Sequence, residues 1–410
     1  MTLHLAHVSQ IKNSTIRITG SKSETNRLLI LQALYPSLQI ENISNSDDSN
    51  LMQKALTASE ELVDIHHAGT AMRFLTAYFS VLKGRTTVLT GSERMQERPV
   101  KILVEALRTI GCQMEYVNNE GYPPIKITGK EPNSSEVSLS ANVSSQYISA
   151  MMLIAPSLKE GLTIRLEGKI TSVPYIKMTL SLLEEAGIKG NFKDNIITIP
   201  PVTQVPEKKI VVESDWSSAS YFYSIAALSS GVVLELSSYK KNSYQGDSVL
   251  SEIYRSFSVT TEFRENSIVL TKEKNSELLQ EEVNFDLTNS PDIAQTIAVT
   301  CFGLNIPCYL TGLHTLKIKE TDRLVALKSE IEKLGGNIQI TEDSLRLAKR
   351  ELIKEGVVIE TYKDHRMAMA FAPLALTTNL KIEKAGVVSK SYPDFWNDLQ
   401  KIGFKISQEK

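Results

Sequence analysis

Four times along this chain an amphipathic helical stretch ends at a glycine and gives way to a short alternating strand. Leu103-Val104-Glu105-Ala106-Leu107-Arg108-Thr109-Ile110-Gly111 leads into Gln113-Met114-Glu115-Tyr116, and the same pattern ends at Gly187, Gly335 and Gly403. Glycine suits a helix C-terminus because the chain turns there through a left-handed conformation that a side chain resists. A period of roughly 70 residues relates the four positions, with one step skipped between the second and the third. Weaker copies without the glycine fit around residues 51–62 and 249–259, which gives about six units along 410 residues. Segments such as Pro124-Ile125-Lys126-Ile127-Thr128 and Asn195-Ile196-Ile197-Thr198-Ile199 close hairpins, so each unit reads as βαβαββ. The plainer alternative is that helix, glycine and strand recur in any α/β chain. The fold class is α/β on both readings, and the length calls for two domains or more. A polar, proline-bearing connection at 200–209 lies near the middle. After it, Ser214-Asp215-Trp216-Ser217-Ser218 reads as a helix start capped by Ser or Asp.

Lys and Arg number 45 against 47 Asp and Glu, a net charge of −2. Nothing global attracts nucleic acid or an anionic membrane, so anion binding must come from local clusters. Cys112, Cys301 and Cys308 stand among apolar neighbours without a framework spacing, as buried thiols do. His66 and His67 are adjacent and His365 stands apart, which is no metal signature, and zinc is not expected. The first ten residues have no apolar stretch of the signal-peptide kind, and no apolar run is long enough to span a bilayer. A cytoplasmic location is the expectation.

Polar clusters repeatedly precede apolar helical runs. Gly20-Ser21-Lys22-Ser23-Glu24-Thr25-Asn26-Arg27 sits at a strand-to-helix turn, where backbone amides favour anions and Lys22 and Arg27 add charge. It does not meet the P-loop pattern and reads equally as a capped helix with solvated charges. Ala68-Gly69-Thr70-Ala71-Met72-Arg73 opens another helix, and Arg98 precedes Pro99 on a loop. Ser144-Ser145-Gln146 and Ser172-Val173-Pro174-Tyr175 can cap helices or donate to phosphate. Lys319-Glu320-Thr321-Asp322-Arg323 and Lys363-Asp364-His365-Arg366 are dense in charge, and Asp292 with Glu320 are candidates for acid–base work. Taken singly, each is also a solvated or structural cluster.

In their order and spacing, from residue 20 to 394, these segments resemble the 5-enolpyruvylshikimate-3-phosphate (EPSP) synthase family, the 3-phosphoshikimate 1-carboxyvinyltransferases. Residues 319–323, 364–369 and 68–73 carry the likeness most sharply. The resemblance implies the enolpyruvyl transferase fold, an inside-out α/β barrel of two domains with three βαβαββ units each. Here these would be 21–213 and 1–20 with 214–410, and the chain would cross a hinge near 19–21 and 213–215. It implies transfer of the carboxyvinyl group of phosphoenolpyruvate to the 5-hydroxyl of shikimate 3-phosphate, on the route to chorismate and aromatic amino acids. Carried across by position, Ser23, Arg27, Ser144, Ser145, Ser172 and Tyr175 fall to shikimate 3-phosphate. Gly69, Arg98, Arg323, Arg366 and Lys390 fall to phosphoenolpyruvate. Lys22, Gln146 and Lys319 stand where the two substrates meet. Asp292 is implied as the base for the hydroxyl, and Glu320, assisted by Lys22, as the proton donor. No cofactor is implied, and a monomer is.

The chain departs from the family pattern in several places. His67 stands for an Asn, Phe74 for a Pro, Trp216 for a small residue and Thr315 for a polar substrate contact, while the stretch between residues 48 and 69 is short. Two other readings remain. The related transferase acting on UDP-N-acetylglucosamine usually carries a Cys on the loop matching residues 91–99, and this loop has none. A non-catalytic anion binder of the same fold would have lost an acid–base group, yet Lys22, Asp292 and Glu320 are all present.

Overall fold

Gly111, Gly187, Gly335 and Gly403 all adopt positive φ, between 92° and 113°, at the ends of their helices. At the weaker copy near 258, Ser258 takes the same left-handed turn with φ 59°. The computed structural model describes residues 1–140, 144–168, 170, 173–273 and 282–408. Among them are six sheets, five with four strands and one with two.

The four-stranded sheets share one plan. Leu62–Asp64 runs parallel to Thr86–Thr90, which pairs antiparallel with Ile125–Thr128, and Gln113–Tyr116 closes the edge as a hairpin. The parallel pair is joined through helix Gly69–Val81, and helix Lys101–Thr109 precedes the hairpin, so the order is βαβαββ. The last repeat borrows a strand. Leu3–Ala6 lies between Leu380–Ile382 and Lys405–Gln408, so the chain start completes the chain end. The expected sixth βαβαββ unit is incomplete. Lys208–Val211 pairs in parallel with Leu38–Glu41, and helix Asp47–Thr57 passes straight to Leu62–Asp64 without a hairpin. The short stretch after residue 48 is this missing hairpin, and with no hairpin to enter, that helix needs no glycine turn.

The chain forms two compact units, Gly20–Val212 and Met1–Thr19 with Glu213–Lys410. Each has its own apolar core. In each, three helices are buried nearly all round, as helices without a polar face must be. They are Lys22–Leu34, Gly69–Val81 and Ser145–Ile154 in the inserted unit. In the split unit they are Trp216–Leu228, Ala294–Leu304 and His365–Phe371. Each trio is in mutual contact. The charged residues of these helices all lie within the first two turns. Cys112, Cys301 and Cys308 are free and buried, and no described helix is long and apolar enough to cross a membrane.

Candidate active site

The split unit gathers charge where its helices begin. Asp292 lies in the turn Pro291–Ile293 that leads into helix Ala294–Leu304. Arg323 is the first residue of helix Arg323–Lys333, whose cap Asp322 accepts from the amides of Leu324 and Val325. Arg366 is in the first turn of the helix capped by Asp364.

Arg323 ties these segments together. Its Nε donates to Asp364 Oδ2 at 2.7 Å, Nη1 to Asp292 Oδ1 at 2.8 Å, and Nη2 to Glu320 Oε2 at 2.7 Å. The side chain is 2% exposed. Burial works against its charge, but the carboxylates of Asp364, Glu320 and Asp292 more than offset that, so its pKa lies above the ordinary arginine value. Asp292 meets two further cations, with Lys319 Nζ 3.4 Å from Oδ1 and Arg366 Nη2 3.4 Å from Oδ2. Arg366 Nη2 also donates to Ser217 Oγ at 3.1 Å, at the start of helix Trp216–Leu228. The structure thus joins Asp292, Lys319, Glu320, Arg323 and Arg366 in one network. Lys390 is bonded elsewhere, its Nζ donating to the carbonyl of Lys363 at 2.8 Å.

The inserted unit does the same with helix starts and fewer carboxylates. Lys22 Nζ lies 3.7 Å from Asp48 Oδ1. Arg27 is buried one turn further on, donating to Thr179 Oγ1 at 2.8 Å, the Ser23 carbonyl at 2.7 Å and Ser149 Oγ at 3.0 Å. Its guanidinium lies 5.3 Å from the Phe74 ring centre and 5.8 Å from that of Tyr175. Burial pulls its pKa down to about 10, with Tyr175 and Glu24 acting the other way. Ser144 caps helix Ser145–Ile154 by accepting from the Gln146 amide, and Gln146 Nε2 donates to Thr70 Oγ1 at 3.2 Å. Gly69 packs against Arg98 so tightly that a Cβ there would stand 2.6 Å from Nη1. Below them Arg73 is buried, donating to the carbonyls of Gly69 and Pro99, and burial with the nearby Arg98 charge lowers its pKa to about 10. Ser172 lies outside the described residues.

Chemically, the inserted unit offers amides, hydroxyls and cations suited to anions. The split unit offers two carboxylates held at fixed positions among cations, which suits proton transfer. Asp364 and Ser217 join this network and escaped sequence reasoning as functional residues: Asp364 stands beside Arg366 in a cluster that the sequence singles out, while Ser217 lies in a segment that reads only as a helix start. Asp48 carries no sequence signal as the partner of Lys22. Two departures have local reasons: Phe74 gives Arg27 an aromatic face, and Trp216 is fully buried, donating to Glu213 Oε1 at 2.8 Å and meeting Tyr239 edge-on at 5.0 Å.

The model of the EPSP synthase family, 3-phosphoshikimate 1-carboxyvinyltransferase, matches residues 53–399. The 3-phosphoshikimate 1-carboxyvinyltransferase of Bacteroides fragilis strain YCH46 is 49% identical over 409 residues, covering 98% of both chains. That of Haemophilus influenzae strain KW20 is 34% identical over 98% of this chain and 99% of its own. Among solved structures, EPSP synthase from Acinetobacter baumannii superposes with a TM-score of 0.80 at 20% identity, covering 99% of this chain and 100% of its own. The enolpyruvyl transferase NikO from Streptomyces tendae gives 0.73 at 13%, covering 99% of this chain and 98% of its own. By fold, by family model and by full-length identity, the chain belongs to the EPSP synthase (3-phosphoshikimate 1-carboxyvinyltransferase) family.

Proposed function

We propose that this chain transfers the carboxyvinyl group of phosphoenolpyruvate to the 5-hydroxyl of shikimate 3-phosphate, yielding 5-enolpyruvylshikimate 3-phosphate and phosphate. The observation that carries the proposal is the pair of carboxylates, Asp292 and Glu320, held by one buried arginine. The addition needs a base at the hydroxyl and an acid at the methylene carbon. Asp292, at 13% exposure, lies against Arg323, Lys319 and Arg366, which hold its carboxylate in place to take the hydroxyl proton. Glu320 is more open, at 28%, and is placed on Arg323 through Oε2. It gives a proton to the methylene, the enol carbon becomes cationic, and the hydroxyl oxygen adds to it. The carbon–oxygen bond to phosphate then breaks, phosphate leaves with the proton that Asp292 took up, and Glu320 recovers a proton from the methyl group, which restores the vinyl group.

Both substrates are anions, and cations must offset their repulsion before the reacting atoms can meet. Lys22, Ser23, Arg27, Ser144, Ser145, Gln146, Ser172, Tyr175, Asp292 and Lys319 belong with shikimate 3-phosphate in this proposal. Gly69, Arg98, Arg323, Arg366 and Lys390 belong with phosphoenolpyruvate, which Lys22 and Gln146 also reach. Arg323 uses one N–H on each terminal nitrogen for carboxylates, and the remaining N–H of each is the one that would meet the substrate anion. A cytoplasmic location and a monomeric enzyme are part of the same proposal. The test is phosphate release from phosphoenolpyruvate with and without shikimate 3-phosphate. Release that depends on the acceptor is expected, and its absence overturns the proposal.

Gly69→Ala gives a finer check. The added methyl would press on the Arg98 guanidinium, the mobile end of its side chain, so the fold tolerates it while the cation is displaced. The KM for phosphoenolpyruvate should rise by about tenfold or more, the scale of a misplaced positioning group. An unchanged KM would remove Gly69 and Arg98 from that site.

A further inference from the structure

Arg366 reaches the Asp292 network from one side, and on its other side a second acid stands behind it. Asp247 lies in the turn Gly246–Val249 and is 7% exposed. Its Oδ2 accepts a short hydrogen bond from Ser217 Oγ. Ser217 Oγ in turn accepts from Arg366 Nη2 at 3.1 Å, and the same nitrogen lies 3.4 Å from Asp292 Oδ2. A hydroxyl has one proton. While ionised Asp247 accepts a hydrogen bond from that O–H, the oxygen lone pairs of Ser217 are turned to the guanidinium. If Asp247 were protonated it could donate to Ser217 instead, and the hydroxyl hydrogen would be free to swing toward the N–H of Arg366 and oppose it.

We propose that Asp247 is a positioning residue for the transfer reaction: through Ser217 it fixes Arg366 beside Asp292 and so sets the grip on phosphoenolpyruvate. This rests on the reading that Arg366 binds that substrate. The groups facing Asp247 are Asp292 and Asp215, which share its sign, together with Arg366 and the Ser217 hydroxyl. Burial first, and then Asp292, push its pKa up to about 6, against the pull of Arg366 and Ser217. The relay is therefore set above that pH and loosens below it.

The test compares wild type with Asp247→Asn and Ser217→Ala. At about pH 7.5, Asp247→Asn, whose amide NH2 can donate to Ser217 as a protonated Asp247 would, should raise the KM for phosphoenolpyruvate about tenfold, the worth of one hydrogen bond to a charged group, with a much smaller change in kcat. The ratio of wild-type to variant kcat/KM for phosphoenolpyruvate should fall toward one below about pH 6, while the titration of the substrate's own phosphate cancels in that ratio. Stability gives a separate check on the burial of the Asp247 charge. Burial raises the folded-state pKa of Asp247, so its ionised form weakens the fold as pH rises. Asparagine removes that cost. The melting temperature of the variant relative to wild type should therefore rise between about pH 4 and pH 6 and level off above that. An unchanged KM, or a ratio that does not vary with pH, overturns the proposal. Should Asp247→Asn fail to fold, Ser217→Ala carries the test, and a wild-type KM in it overturns the proposal too. Failure of the underlying functional reading is distinguishable, because it shows in the wild type as the lack of acceptor-dependent phosphate release.

Discussion

Glu320→Gln is expected to lower turnover by about 10²–10⁴-fold, the usual contribution of a general acid. The substitution is nearly isosteric. Its amide oxygen can accept from Arg323 Nη2 as the Oε2 of Glu320 does at 2.7 Å, so the Arg323 network keeps its geometry. What is lost is a proton that can be given up. Phosphoenolpyruvate becomes electrophilic at its enol carbon only after the methylene is protonated, so the barrier rises at that step while binding of both anions changes little. Steady-state phosphate release, with both KM values measured, separates the two effects. A turnover close to wild type would reject Glu320 as the donor. Asp292→Asn should behave differently. Asp292 is held between Arg323, Lys319 and Arg366, so removing its charge both deletes the proposed base and leaves three cations less compensated. Turnover and substrate affinity should change together there.

The repeats were legible because backbone geometry writes them into the sequence. A helix that turns into a hairpin needs a left-handed residue, and glycine is the cheapest one, hence Gly111, Gly187, Gly335 and Gly403. The exceptions have equally local reasons. Ser258 bears the left-handed turn without glycine, and the helix Asp47–Thr57 has no hairpin to enter. Helix starts were legible too, since a polar cluster before a mainly apolar run marks a first turn, as at Gly69 and His365. Pairing across the chain was not. Arg323 bonds Asp364 and Asp292 from distant segments, and no periodicity links those positions. The partnership of Asp247 with Ser217 is of the same kind, set by a turn and a helix that meet only when the core forms. Burial of Trp216 was hidden as well, because its indole lies on Tyr239 and bonds Glu213, contacts that a residue-by-residue reading cannot see.

Arg323→Met should be the most damaging single change in the split unit. Three carboxylates from three segments point at one guanidinium, and Asp364 among them has no exposed surface. Taking away the shared cation leaves buried negative charge without compensation, which typically costs about 3–5 kcal/mol. The midpoint of urea unfolding should fall accordingly, and activity should be lost beyond what substrate contact alone explains, since Asp292 and Glu320 lose the group that orients them both. Arg323→Lys discriminates between charge and geometry. An ammonium restores the charge, but it is a compact point at the end of a shorter reach, whereas the guanidinium presents Nε, Nη1 and Nη2 to three separate acceptors in one plane. The lysine variant should recover part of the stability and little of the turnover. If lysine restored both, Arg323 would be acting only as a charge, and the fixed placement of Asp292 and Glu320 would not be what drives the transfer.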